Sequence, residues 1–127
     1  MVDHLGALRG RRILIVEDEY IVAWDLAQSL EQIGASVIGP VGSVASALVL
    51  ISEEAALDIA VLDINLGSEQ VFPVADALQA RGLPFVFATG YDPSSIPGKY
   101  REALRFEKPV DSHALARELA GGLAGDG

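Results

Sequence analysis

The sequence contains no cysteine, so neither a disulfide framework nor a thiolate metal site can hold it together and the fold must stand on its apolar core. It has no apolar run near the roughly 18 to 20 residues that a membrane-spanning helix needs, and no N-terminal apolar stretch followed by a cleavage site. A soluble, cytoplasmic protein with no membrane partner is expected. Basic residues are scarce: nine Lys and Arg stand against eighteen Asp and Glu, a net charge of −9. That balance repels nucleic-acid phosphates, so no direct nucleic-acid partner is expected. The one basic cluster, Arg9, Arg11 and Arg12, is too short for a binding face and reads as a solvated arm before the first strand. A Gly-rich Lys-Ser/Thr phosphate loop, a Gly-x-Gly-x-x-Gly fingerprint and a Gly-x-Ser-x-Gly elbow are all missing, which argues against nucleotide hydrolysis and serine-hydrolase chemistry.

What remains is a chain of 127 residues, half of them apolar, long enough for one core and one domain. Residues 1–10 read as an N-terminal arm, 11–121 as the domain and 122–127 as a frayed Gly-rich tail. The initial Met and that tail read as a chain that stands alone.

Apolar blocks alternate with helical periodicity along the domain. Residues 12–16, Arg-Ile-Leu-Ile-Val, are apolar without alternation, as in a strand buried on both faces. Val22, Leu26, Leu30 and Ile33 then fall at near-helical spacing, with Gly34 as the stop. Residues 35–39 form a short edge strand closed by Pro40, and Ser43 can cap a helix carrying Val44, Leu48 and Ile51. A third strand over 59–62 runs into Asp63, and a Gly67-Ser68 loop leads to a helix with Val74, Ala75 and Leu78. A fourth strand spans 85–88. The turn chemistry of residues 92–98 leaves room only for a short or mobile fourth helix near 99–102. A fifth strand over 103–106 and a helix capped by Asp111, with Leu115, Leu119 and Leu123 inward, complete the pattern. This predicts an α/β fold: a doubly wound, five-stranded parallel sheet with helices on both faces, binding ligands beyond the carboxyl ends of its strands.

Four reactive side chains stand at those ends: Asp18 after the first strand, Asp63 after the third, Thr89 after the fourth and Lys108 after the fifth. Clustering Glu17, Asp18 and Asp63 sets like charges against one another, at roughly 4 kcal/mol per pair 4 Å apart for an effective dielectric near 20. A cation would offset that repulsion. An oxygen-only set suits Mg²⁺, which takes one or two carboxylates plus a phosphate oxygen, and the lack of Cys with only two His argues against zinc.

The strings Val16-Glu17-Asp18-Glu19, Val61-Leu62-Asp63-Ile64-Asn65-Leu66, Phe87-Ala88-Thr89-Gly90-Tyr91 and Glu107-Lys108-Pro109 resemble the receiver domains of two-component response regulators over residues 11–121. The resemblance implies a flavodoxin-like sheet of order 2-1-3-4-5, with Asp63 as phosphoacceptor. Mg²⁺ would be placed by Glu17, Asp18, Asp63 and the backbone carbonyl of Asn65. Thr89 would bond one phosphoryl oxygen and Lys108 another, the Lys108-Pro109 bond being often cis in the family. A sensor histidine kinase would be the donor, and a downstream protein effector would read the switch.

Two features depart from the common pattern. Arg105 stands where many receivers carry a Tyr or Phe three residues before the lysine, while its neighbour Phe106 reads as core. Gly67 stands where a Pro often follows, and with the Phe87–Tyr91 string it resembles the subfamily nicknamed FAT GUY, often paired with HWE-class kinases. Tyr91 then becomes the tuning aromatic, shielding the phosphoryl site while Asn65 shapes the other approach. His4 and His113 lie away from the acids and are not expected to carry phosphoryl groups, and Trp24 reads as a partly exposed packing residue. An aspartyl-phosphate phosphatase would want an acid two residues after the nucleophile, where the neutral amide of Asn65 cannot protonate a leaving group. The other alternative is a pseudo-receiver that binds partners without phosphorylation. A homodimer through the fourth and fifth helical faces is a further expectation.

Overall fold

Residues 13–16 and 59–62 show no polar alternation because both faces of their strands are covered, and their side chains are buried throughout. The computed structural model describes residues 8–89, 96–100 and 103–107, with Ala114, Leu115, Arg117 and Leu119 of a final helix. Elements run β1 (Arg12–Val16), α1 (Tyr20–Gln32), β2 (Ser36–Val41), α2 (Val44–Glu53), β3 (Ile59–Asp63), β4 (Asn65–Leu66), β5 (Glu69–Gln70), α3 (Phe72–Ala80), β6 (Phe85–Thr89), a 3-10 turn Gly98–Tyr100, and β7 (Leu104–Glu107). The main sheet is parallel, in the order β2-β1-β3-β6-β7. In chain order of its strands this is the expected 2-1-3-4-5 winding. No helix among the described residues is long and apolar enough to cross a membrane.

Successive side chains of each strand go to opposite layers. Leu14, Val16, Leu62 and Phe87 pack with Ile51 of α2 and Val74 and Leu78 of α3. Ile13, Ile15, Val61 and Val86 pack with Leu26 and Leu30 of α1 and with Leu115 and Leu119 of the final helix. Burying a side chain of this size contributes about 1.5–3 kcal/mol, so the two layers fix the strand register that aligns the strand ends.

Several expectations need correction. β2 does not stop at Pro40 but continues to Val41, with a cis Gly39-Pro40 bond and a register shift against β1 between Leu14 and Val16. An edge strand tolerates this, because the missing proline N–H is on the unpaired side of the ladder. Gly39 has φ +92°, and a Cβ there would lie 2.9 Å from the Val41 nitrogen. Leu48 is exposed, because α2 turns Ala47 and Ile51 inward and leaves Leu48 one position off the buried face. Ser43 does cap α2, accepting from the Ser46 N–H. The short fourth helix expected near 99–102 is represented among the described residues by a 3-10 turn at Gly98–Tyr100, with a Tyr100 N–H to Pro97 carbonyl bond of 3.0 Å. Gly98 in that turn disfavours a longer helix.

Part of the stretch read as an arm is buried. Leu8 is fully buried, three positions before the domain start read from sequence, and Arg12 is half-buried in β1 with a 2.8 Å ion pair to Glu54. The expectations that fall on residues 90–95, 101–102, 108–113 and 120–127, on the residues before Leu8 and on the side chain of Phe106 lie outside the described residues.

Candidate acidic site at the carboxyl edge of the sheet

Register decides which strand-end residues meet. Val16 of β1 pairs with Leu62 of β3, and Asp63 pairs with Ala88 of β6, so Glu17 and Asp63 leave adjacent strands at one level. Thr89 pairs with Glu107 one step further on, immediately before Lys108 in sequence. The side chain of Thr89, and all of Tyr91 and Lys108, lie outside the described residues.

Glu17, Asp18 and Asp63 each offer a carboxylate oxygen, and these oxygens lie within 4.8 Å of one another. Glu17 and Asp63 are buried, at 7% and 4% exposure, whereas Asp18 faces solvent. Backbone contacts hold the two buried acids. The Glu17 N–H donates to the Val41 carbonyl at 2.9 Å, so the last residue of β2 anchors the acidic turn. The Glu19 N–H donates to Glu17 Oε2 at 3.0 Å, and the Asn65 N–H donates to Asp63 Oδ1 at 3.3 Å. Clustered hard oxygens with no sulfur and no described histidine are a donor set that fits Mg²⁺.

The Gly67-Ser68 loop is the turn of a two-residue antiparallel hairpin, β4 with β5. Gly67 takes φ +74°, which favours glycine at this turn, and its Cα lies close enough to Asp18 that an added Cβ would stand 3.7 Å from Oδ2, in ordinary contact. Two contributors escaped the sequence reading. Glu69 of β5 accepts from the Val44 N–H at 3.0 Å and ties the hairpin to the start of α2. Asp25 of α1 shares with Glu17 and Asp63 the wall of a cavity of about 30 Å³ beneath the cluster.

No family model matches the chain. Over 108 residues it is 33% identical to the phyllosphere-induced regulator PhyR of Methylorubrum extorquens, covering 83% of this chain and 40% of PhyR. It therefore spans well under half of that curated relative. The solution structure of the BeF3-activated conformation of SdrG from Pseudomonas melonis Fr1 is 42% identical, with a TM-score of 0.73 over 88% of this chain and 95% of SdrG. A CheY-like response regulator receiver domain protein from Methanospirillum hungatei JF-1 is 25% identical, with a TM-score of 0.78 over 93% of this chain and 99% of that one. The chain belongs to the receiver domains of two-component response regulators, with SdrG- and PhyR-type regulators among its relatives. Its role is response-regulator signalling.

Proposed function

We propose that the chain is a Mg²⁺-dependent phosphoryl receiver with Asp63 as the acceptor. The observation that carries this reading is the meeting of Glu17, Asp18 and Asp63 within 4.8 Å at the ends of two adjacent parallel strands. A carboxylate oxygen of Asp63 attacks phosphorus, the bond from phosphorus to the donor's histidine nitrogen breaks, and its electron pair stays on that nitrogen. The Asn65 N–H orients the acceptor carboxylate. Glu17, Asp18, Asp63 and the Asn65 carbonyl would hold Mg²⁺, which would supply positive charge to the transferring group. Thr89 and Lys108 take the remaining phosphoryl oxygens, as the resemblance to receivers implies. The donor is a sensor histidine kinase of the HWE class, and a protein effector in the cytoplasm reads the result, with a homodimer as one mode of response. Tyr91 covers the phosphoryl group, so Tyr91→Ala shortens the lifetime of the phosphorylated form, and an unchanged lifetime removes Tyr91 from this role.

Incubation with Mg²⁺ and a small phosphodonor tests the reading. An acid-stable, base-labile phosphoryl mass is expected on the wild-type chain and not on Asp63→Asn. Its absence from the wild type, with the small donor and with a phosphorylated kinase alike, would turn the assignment to a phosphorylation-independent binding module.

A further inference from the structure

Tyr100 is the bulkiest fully buried side chain described, 1% exposed, although it sits in the turn-rich stretch between β6 and β7. Its ring stacks on Phe72 of α3 with centroids 5.4 Å apart and meets Phe87 of β6 edge-on at 5.8 Å. The hydroxyl donates to the Asp76 carboxylate of α3 and lies 3.2 Å from the Phe72 carbonyl oxygen. Lys99 Nζ stands 3.1 Å from the same Asp76 oxygen. Protonation states agree with this geometry: burial and then Asp76 push the Tyr100 phenol up, while the Tyr100 hydroxyl and then Lys99 hold Asp76 below the usual carboxylate range. One aromatic residue thus joins three elements through a donor and acceptor that are both in the required form.

Phe87 stands two residues before Thr89 on β6, so the ring that Tyr100 braces belongs to the strand whose end reaches the acidic edge. Beside Tyr100 a cavity of about 400 Å³ opens between Gln79, Phe85, Gly98 and Lys99. The ring therefore has a neighbouring space, and the hydroxyl bond adds to its contacts with Phe72 and Phe87 in opposing a move into it. A buried phenol that leaves its acceptor loses a hydrogen bond, so the bond disfavours every arrangement in which the ring is displaced.

We propose that the Tyr100–Asp76 hydrogen bond is a latch that couples α3 to the carboxyl end of β6 and opposes the rearrangement that accompanies anion binding at Asp63. The proposal rests on the phosphoryl-receiver reading above. Removing the bond while keeping the ring raises the population of the displaced arrangement, and a ligand that favours this arrangement then binds more tightly.

The test uses the full chain, with beryllofluoride and Mg²⁺ as the probe and calorimetry as the readout. Tyr100→Phe keeps the ring, and Asp76→Ala removes the acceptor from a surface position. Each variant is expected to tighten beryllofluoride binding about fivefold, a partial release of one bond. The double variant is expected to gain no more than Asp76→Ala alone, because the Tyr100–Asp76 bond is lost in all three and Asp76→Ala further removes only the exposed Lys99 contact. Thermal melts identify a variant that has failed to fold, and the other variant then carries the comparison. Unchanged, weakened or additive affinities overturn the latch while leaving the receiver reading intact. A wild-type chain that binds no beryllofluoride and takes no phosphoryl group overturns both.

Discussion

The two ends of the sheet handle charge in opposite ways. At the amino ends of the strands opposite charges alternate: Arg12 pairs with Glu54 at 2.8 Å and Arg11 with Asp58 at 3.5 Å, while the Arg12 N–H donates to Asp58 at 2.8 Å. Arg81 completes that end, donating to the carbonyl of Ile51 in the last turn of α2 and to those of Glu54 and Ala55 just past it. At the carboxyl ends three carboxylates crowd within 4.8 Å, two of them buried. One end pairs its charges, leaving Arg12 Nε as a buried donor without a partner among the described residues, and closes the fold. The other keeps like charges together, an arrangement expected where a site departs from what stability alone would select.

The largest effect on stability should come from the end where charges are paired. Arg81→Ala leaves three carbonyls at the end of α2 without their donor, and the expected loss is about 2–3 kcal/mol, read as a lower urea midpoint at unchanged slope. A loss below about 0.5 kcal/mol would show that water replaces the guanidinium and would remove the contrast from that side.

At the crowded end the sign should invert with the cation. Mg²⁺ at about ten times its dissociation constant is expected to stabilise the wild-type fold by about 1.4 kcal/mol through mass action. Without Mg²⁺, Asp18→Asn should raise the melting temperature, because it removes one of three like charges. The gain is under about 1 kcal/mol, since Asp18 faces solvent. The same variant should lose most of the Mg²⁺ response. Were Asp18→Asn to lower stability in both conditions, repulsion would not be the governing term at this edge.

Sequence reading reached the acidic edge more easily than its supports, for physical reasons. β1 and β3 are legible because burial on both faces produces unbroken apolar blocks, and Glu17, Asp18 and Asp63 are legible because they end those blocks. β4 and β5, two residues each, carry no periodicity, and the role of Glu69 depends on Val44, 25 positions away. Pro40 read as a strand end because its cost is set by ladder position, which needs the β1 neighbour to be known. Tyr100 sits among turn residues, and its acceptor lies 24 positions earlier on another element. Local pattern finds what local burial causes, and contacts between distant segments leave no such trace.

The smallest effect belongs to a contact that lies at neither end. Asp76 is half-exposed, so screening keeps its contribution small, and it is visible only as a pH dependence. The Tyr100 hydroxyl and then Lys99 lower its pKa, so the stability it adds is fully present above the unfolded value, about pH 4, and is lost as pH falls through the lower folded value. The pKa of Tyr100 is raised by burial and then by Asp76, and that of Lys99 by its bond to Asp76. Their contribution is therefore present below about pH 10 and is lost as pH rises through the raised values. The difference in melting temperature between wild type and Tyr100→Phe should accordingly be flat from about pH 5 to 9 and shrink on both sides. A difference that stays constant into acid would mean that the hydroxyl is held by the Phe72 carbonyl rather than by the Asp76 carboxylate, and the contact would then contribute packing without charge.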